Sequence, residues 1–301
     1  MTADMAGEDT AGDHPAGGGL VGEAPIGAAL APLRARYAEW MALAADRVLA
    51  DREEPADEVR AMQLIVRMER QQPPSWTLAL AAAASAAARL CLDPRSEPGG
   101  EWHEAVTDYC AGHIRKVTRR ARAGHWAAAG ELPGVLVDAR GTVPVTDAGP
   151  VPDEVTAEVR ALVPGLVDRL DPRISRLQVG GTDVAPDAVV PADGLDADHV
   201  LQVWLPPDVP MTLGKTMAQT GHAGMIAAAL MAADEQVALR RWRDAGCPVR
   251  VHGRTTEWPR LLGIVGDGRA GWRADRWVAV RDAGFTEIAP GTVTVLARAP
   301  R

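Results

Sequence analysis

Lysine is almost missing from this sequence. Of 32 basic side chains only Lys116 and Lys215 are lysines. In so arginine-rich a chain, a retained lysine points to a use for its compact charge on a flexible stem. Apolar runs are short, and no basic segment followed by an apolar one stands at the N-terminus, so neither a membrane span nor an export signal is expected and the location reads as cytoplasmic. Cysteine is scarce as well. Cys91, Cys110 and Cys247 are odd in number and far apart, without a Cys-x-x-Cys, which argues for reduced structural thiols over a disulfide framework or a zinc site. There is no Gly-x-Ser-x-Gly and no suggestively paired cysteine and histidine, so nucleophilic serine or cysteine hydrolysis has no support. No metal or organic cofactor is implied.

What is present suffices for one large or two ordinary domains: 301 residues, 47% of them hydrophobic. The net charge of -8 argues against wholesale coating of nucleic acid. Yet Asp4, Glu8, Asp9, Asp13 and Glu23 all precede the first basic residue, Arg34, so the remainder is nearer neutral and local basic patches matter more than the total. Residues 1–26, rich in Gly, Ala and acid, read as a disordered acidic tail.

After the tail, Leu30, Leu33, Tyr37, Trp40, Met41, Ala44 and Val48 recur at helical spacing and predict an amphipathic helix over residues 29–52. A strand is expected over 61–68, a break at Pro73-Pro74, an alanine-rich helix over 76–92, a short helix over 102–109, strands over 132–137 and 158–163, and a turn-rich loop over 139–153. The order recurs from His199: strand, Pro-Pro loop, alanine-rich helix, basic strand over 248–252, short helix with Trp258, strand over 277–280. The chain therefore reads as an α/β unit written twice, residues 27–179 and 199–301, with a linker over 180–198.

The second copy carries the chemistry. Residues 199–229 run strand, Pro-rich loop, helix, and on that helix Lys215, Gln219 and His222 fall at i, i+4 and i+7, on one face. Ala218, Gly221, Ala223, Gly224 and Ala228 are small enough to bring the helix close to its neighbours. Lys215 lies in the first turn, where backbone N–H groups and the dipole already favour an anion. Asp282 directly follows an apolar strand, with Ala-Gly and then Thr286 behind it, the way α/β proteins present side chains at strand ends. The first copy has no Lys, Gln or His in the matching stretch, although Asp138 and Thr142 repeat the spacing of Asp282 and Thr286.

Gly214-Lys215-x-x-Ala218-Gln219-x-x-His222-Ala223, Trp242 four residues before Gly246, and Asp282-Ala-Gly-x-Thr286-x-Ile-x-Pro290-Gly291-x-x-Thr294-Val295 together resemble the type 2 peptidyl-tRNA hydrolases over about residues 198–297. The resemblance implies a small α/β fold around a mixed four-stranded sheet flanked by helices, here duplicated as two related domains. It implies tRNA as partner, cleavage of the ester joining a peptide to the terminal ribose, and dimers, whose second subunit the first domain would replace as a pseudo-dimer within one chain, unless the chain itself forms a homodimer. It makes Lys215, Asp282 and Thr286 the catalytic set, with Gln219 and His222 beside them. Asp282 would act on the water, Lys215 on the oxyanion or a nearby phosphate, and Thr286 in orientation.

The sequence departs from that family at Gly221 in place of a small hydroxyl residue, Phe285 in place of Arg, Glu287 in place of Gln, and Met211-Thr212-Leu213 in place of a basic loop. Each change removes a donor or a positive charge. Arg115, Lys116, Arg119, Arg120 and Arg122 form the densest basic cluster and are expected to compensate by contacting RNA phosphates. The alternative is a catalytically weak RNA-binding or ribosome-associated protein that retains the hydrolase fold. A nucleotide phosphate loop at Gly214-Lys215-Thr216 ranks lower, since it needs a glycine where Val209 stands and has Pro210 within it.

Overall fold

The computed structural model describes residues 24–40, 54–55, 57–143, 154–191, 194–266, 268–282, 288–289 and 291–301. The expected acidic tail up to residue 23, the second half of the first expected helix and residues 144–153 of the expected loop lie outside the described residues. A 3-10 turn, Ala28–Leu30, leads into α1 (Ala31–Trp40), then β1 (Arg60–Arg67), α2 (Trp76–Cys91), α3 (His103–Ala111), β2 (Arg115–Ala121), α4 (Ala123–Ala129), β3 (Gly134–Thr142), β4 (Glu154–Leu162), the two-residue β5 (Gly165–Leu166), α5 (Pro172–Ser175) and the two-residue β6 (Val190–Pro191). The second unit follows as β7 (Leu201–Leu205), α6 (Leu213–Asp234), α7 (Gln236–Asp244), β8 (Val249–Arg254), α8 (Trp258–Val265), α9 (Gly268–Asp275), β9 (Trp277–Arg281) and β10 (Val293–Arg298).

Two mixed sheets result. In the first, β2 runs parallel to β1, β1 antiparallel to β4 and β4 antiparallel to β3, with β5 on β1 and β6 on β3. In the second, β8 runs parallel to β7, β7 antiparallel to β10 and β10 antiparallel to β9. Counted from each unit's first strand, both sheets have the order 2-1-4-3 with the same senses. The parallel pair is in each case bridged by an alanine-rich helix, as a parallel crossover requires. Two sheet-helix units of one plan are consistent with a duplicated domain.

The bridging helices hold the units together. Every residue of α2 except Arg89 is buried, the signature of a helix apolar on all sides. It packs along α6 and also reaches β8 of the other sheet, while α6 reaches β2. At the crossing a Cβ on Gly224 would lie 2.3 Å from the Ala84 carbonyl oxygen, so glycine is the one residue the approach admits. One turn before, the Thr220 hydroxyl donates to the Leu80 carbonyl at 3.1 Å. A single apolar core therefore runs from β1 through α2 and α6 to β10. Tyr37 of α1 donates its hydroxyl to the Ala279 carbonyl of β9, docking the first helix on the second unit.

Residues 180–198 do more than join the units. β6 extends the first sheet, Asp187 accepts from the Trp76 and Thr77 amides at the start of α2, and the Thr182 hydroxyl accepts from Gly214 N at the start of α6. The expected loop over 139–153 gives up its first residues to β3, whose pairing with β4 continues to Thr142. Asp138 consequently sits exposed in mid-strand, ion-paired to Arg140 at 2.8 Å, and is not placed like Asp282 beyond a strand end. Where one short helix with Trp258 was expected, two occur, α8 and α9. The three cysteines are buried free thiols. No helix among the described residues is long and apolar enough to cross a membrane.

Gly224→Ala is expected to lower stability by about 1–3 kcal/mol, because the added methyl must push the two helix backbones apart. Urea unfolding measures this, and an unchanged midpoint would contradict the close crossing.

Candidate active site

Four polar side chains, from α6, β10 and the residue just past β9, form a chain at one end of the second sheet. Lys215 Nζ donates to Asp282 Oδ2 at 2.5 Å, and Gln219 Nε2 donates to the same oxygen at 2.8 Å. The Thr294 hydroxyl of β10 donates to Gln219 Oε1 at 2.7 Å, which fixes the amide with its NH2 toward the carboxylate. The pair is largely withdrawn from water, the side chains being 14% exposed for Lys215 and 4% for Asp282.

Local sequence explains the placement. Thr212 caps α6, its hydroxyl accepting from Lys215 N at 3.2 Å, and the Thr118 hydroxyl of β2 donates to the Gly214 carbonyl at 2.8 Å. The first turn is thus fixed by both units. A lysine there opposes the helix dipole, and the Asp282 carboxylate offsets that cost. Asp282 in turn is held by its backbone: its N–H donates to the Thr292 carbonyl at 2.9 Å, and its carbonyl accepts from Gly291 N at 2.8 Å. Gly291 adopts φ +78°, which a glycine takes without strain.

The other expected site residues are placed differently. Thr286 lies outside the described residues. His222 shares the face of Lys215 and Gln219, but its Nδ1 lies 3.2 Å from Lys116 Nζ. Four of the five residues of the basic cluster lie in β2, and strand alternation splits them. Lys116, Thr118 and Arg120 point one way. Lys116 faces α6, while Arg120 bonds the Gln178 side chain and donates its backbone N–H to the Gln178 carbonyl at 3.0 Å. On the opposite face Arg119 donates to Gln63 Oε1 at 2.9 Å and to the Leu177 carbonyl at 2.8 Å. Arg115 pairs with Glu54. Arg122 is exposed beside the exposed Arg70, in an open depression with Glu69, Gln71 and Gln72.

Withdrawal from water governs the electrostatics around His222, although both His222 and Lys116 stay half-buried rather than fully enclosed. That withdrawal draws the imidazole well below its usual range, and the charges of Lys116 and then Lys215 push the same way, so the ring is held neutral. Burial also draws Lys116 down to about 7, partly opposed by Cys91 and Cys110. Burial raises the neighbouring Tyr109 hydroxyl far above its usual range.

Comparison with known proteins falls on this segment of the chain. Residues 200–301 match the family model of peptidyl-tRNA hydrolase PTH2. The match covers about a third of the chain and contains Lys215, Gln219, His222, Asp282 and Thr294, while β2 and α2 lie outside it. Searches of curated proteins and of solved structures return no match. Within the PTH2 segment, sequence reasoning assigned no role to Thr294. It is wholly buried between Val293 and Val295 in an apolar strand, where a hydroxyl needs a partner, and that was the available signal. The inward turn of Lys116, by contrast, leaves no mark in a strand with arginines on both faces.

Two outcomes check the electrostatics. Lys215→Met removes the cation from a buried carboxylate and is expected to cost about 3–5 kcal/mol, most of it recovered in Lys215→Met/Asp282→Leu; unfolding free energies of the three proteins test this. Lys116 has a folded value of about 7 against an ordinary 10.5, so between these the unfolded chain holds a proton that the folded one has released. Stability should therefore rise with pH across that window, and fall on the acid side as unfolded His222 protonates below its ordinary 6.5. In Lys116→Met the alkaline rise in the urea midpoint should flatten.

Proposed function

We propose that the protein hydrolyses the ester of peptidyl-tRNA or of an N-blocked aminoacyl-tRNA, releasing free tRNA. The observation that carries this reading is the Lys215–Asp282–Gln219–Thr294 chain, lying within the segment that matches PTH2. Water attacks the acyl carbon, the acyl-oxygen bond breaks, and the water's proton ends on the ribose oxygen. Asp282 orients the water and takes its proton, Lys215 supplies positive charge to the tetrahedral oxyanion, and Gln219, held by Thr294, keeps the carboxylate in place. Thr286 is assigned to orientation of the water. The tRNA backbone is expected to meet the exposed Arg122 and Arg70, since Arg115, Arg119 and Arg120 already bond protein acceptors and hold the first unit's own structure. The two units take the place of two subunits, so that one chain is a pseudo-dimer divided near residues 180–198.

A second reading, a tRNA-binding protein with little turnover, draws on Gly221. A side chain there would crowd the Lys116 stem, which comes from outside residues 200–301. Release of tRNA from N-acetyl-aminoacyl-tRNA decides between the two. Wild-type turnover falling about 10²–10³-fold in Lys215→Ala and in Asp282→Ala is expected for the enzyme. Absence of wild-type release, with salt-sensitive tRNA binding retained, would establish the binding protein.

A further inference from the structure

The charges of both lysines of the chain bear on His222. Lys215 acts on it by charge from the same helix face, and Lys116 approaches from β2 of the first unit, outside residues 200–301. The Lys116 stem crosses directly over Gly221, where an added Cβ would lie 2.9 Å from Cδ and 3.1 Å from Cε. Its nitrogen has four neighbours: the Tyr109 hydroxyl at 3.2 Å, the Ile114 carbonyl at 3.4 Å, Met225 Sδ at 3.0 Å and His222 Nδ1 at 3.2 Å. The Tyr109 proton already goes to the carbonyls of Ile114 at 2.6 Å and Arg115 at 3.0 Å, so its oxygen turns a lone pair to the lysine. An ammonium donates and never accepts. Against it Nδ1 must accept, and the neutral ring then carries its proton on Nε2, which has no hydrogen-bond partner among the described residues.

We propose that Lys116 is a positioning residue of the hydrolytic site, fixing His222 in the Nε2–H tautomer so that this N–H is presented as a donor to the substrate on the helix face shared with Lys215. The claim about substrate rests on the hydrolase reading; the tautomer does not. The first unit thereby contributes a residue to a site whose other groups lie within residues 200–301. The groups facing Lys116 are Tyr109 and Cys110 of α3, Cys91 of α2, and His222 of α6, itself under the charge of Lys215. Burial brings the proton of Lys116 off near neutrality. Once it is lost, the amine can accept from Nδ1–H, and Nε2 is no longer held as a donor. The donor is therefore present on the acid side of neutrality and released on the alkaline side.

Nitrogen-15 NMR of the full chain labelled on its histidines reads the tautomer directly, with the His222 signal assigned by its loss in His222→Gln. Below neutral pH the wild type should carry the proton on Nε2, and this preference should disappear in Lys116→Met and weaken in Gly221→Ala, which keeps both side chains and displaces the lysine. A wild-type ring protonated on Nδ1, or a ring unchanged in Lys116→Met, would overturn the proposal. In tRNA release, Lys116→Met should lower kcat/KM about three- to tenfold, the effect of one hydrogen bond, and remove the decline above neutral pH that Lys116→Arg, charged throughout, should also lack. A Lys116→Met profile identical to wild type would overturn the claim about substrate. No release by the wild type would remove the hydrolase reading and that claim with it, while the NMR result still decides the tautomer.

Discussion

Gly224 set against the Ala84 carbonyl is the contact on which the rest of the structure depends. Two helices this close leave room between them for small side chains only, and each extends past its partner to the far sheet, α6 to β2 and α2 to β8. Only then do Thr118 and Thr182 reach the first turn of α6, and Lys116 the space above Gly221. The small residues of α6 are thus one surface used twice, against the sheet and against α2, and the polar face of the same helix is aimed by what those residues allow.

Around that helix the charges are placed against local preference and compensated at a distance. A lysine at a helix N-terminus and a carboxylate almost without solvent are each unfavourable alone. Bonded together, with Thr294 fixing Gln219 and Gln219 fixing Asp282, they have few other arrangements.

Much of this was legible in the sequence. Strand β7, the Pro-rich break and helix α6 follow from hydrophobic runs and from prolines that neither element tolerates, and helical spacing put Lys215 and Gln219 on the face that both use to reach Asp282. The limits are equally physical. Asp138 and Thr142 repeat a spacing, but spacing does not say whether a residue stands within a strand or beyond its end, and Asp138 stands within. The arginines and lysine of β2 read as one basic face, although a two-residue period must divide them, and Arg119, Arg115 and Lys116 each find partners far away in sequence. Residues 180–198 look like a spacer because a two-residue strand and two capping side chains carry no periodic signal.

The matched topology of the two sheets has a consequence for how such a site can change. In a symmetric pair of identical subunits, any substitution appears twice, so a lysine brought to the partner's histidine also alters the subunit that carries it, in the same role. Joined in one chain, the two units are released from that constraint. Here the second unit carries the carboxylate, amide and imidazole, and the first contributes Lys116, Thr118 and an alanine-lined helix. Asymmetry of this kind is open to two units within one chain and closed to a twofold pair of identical subunits.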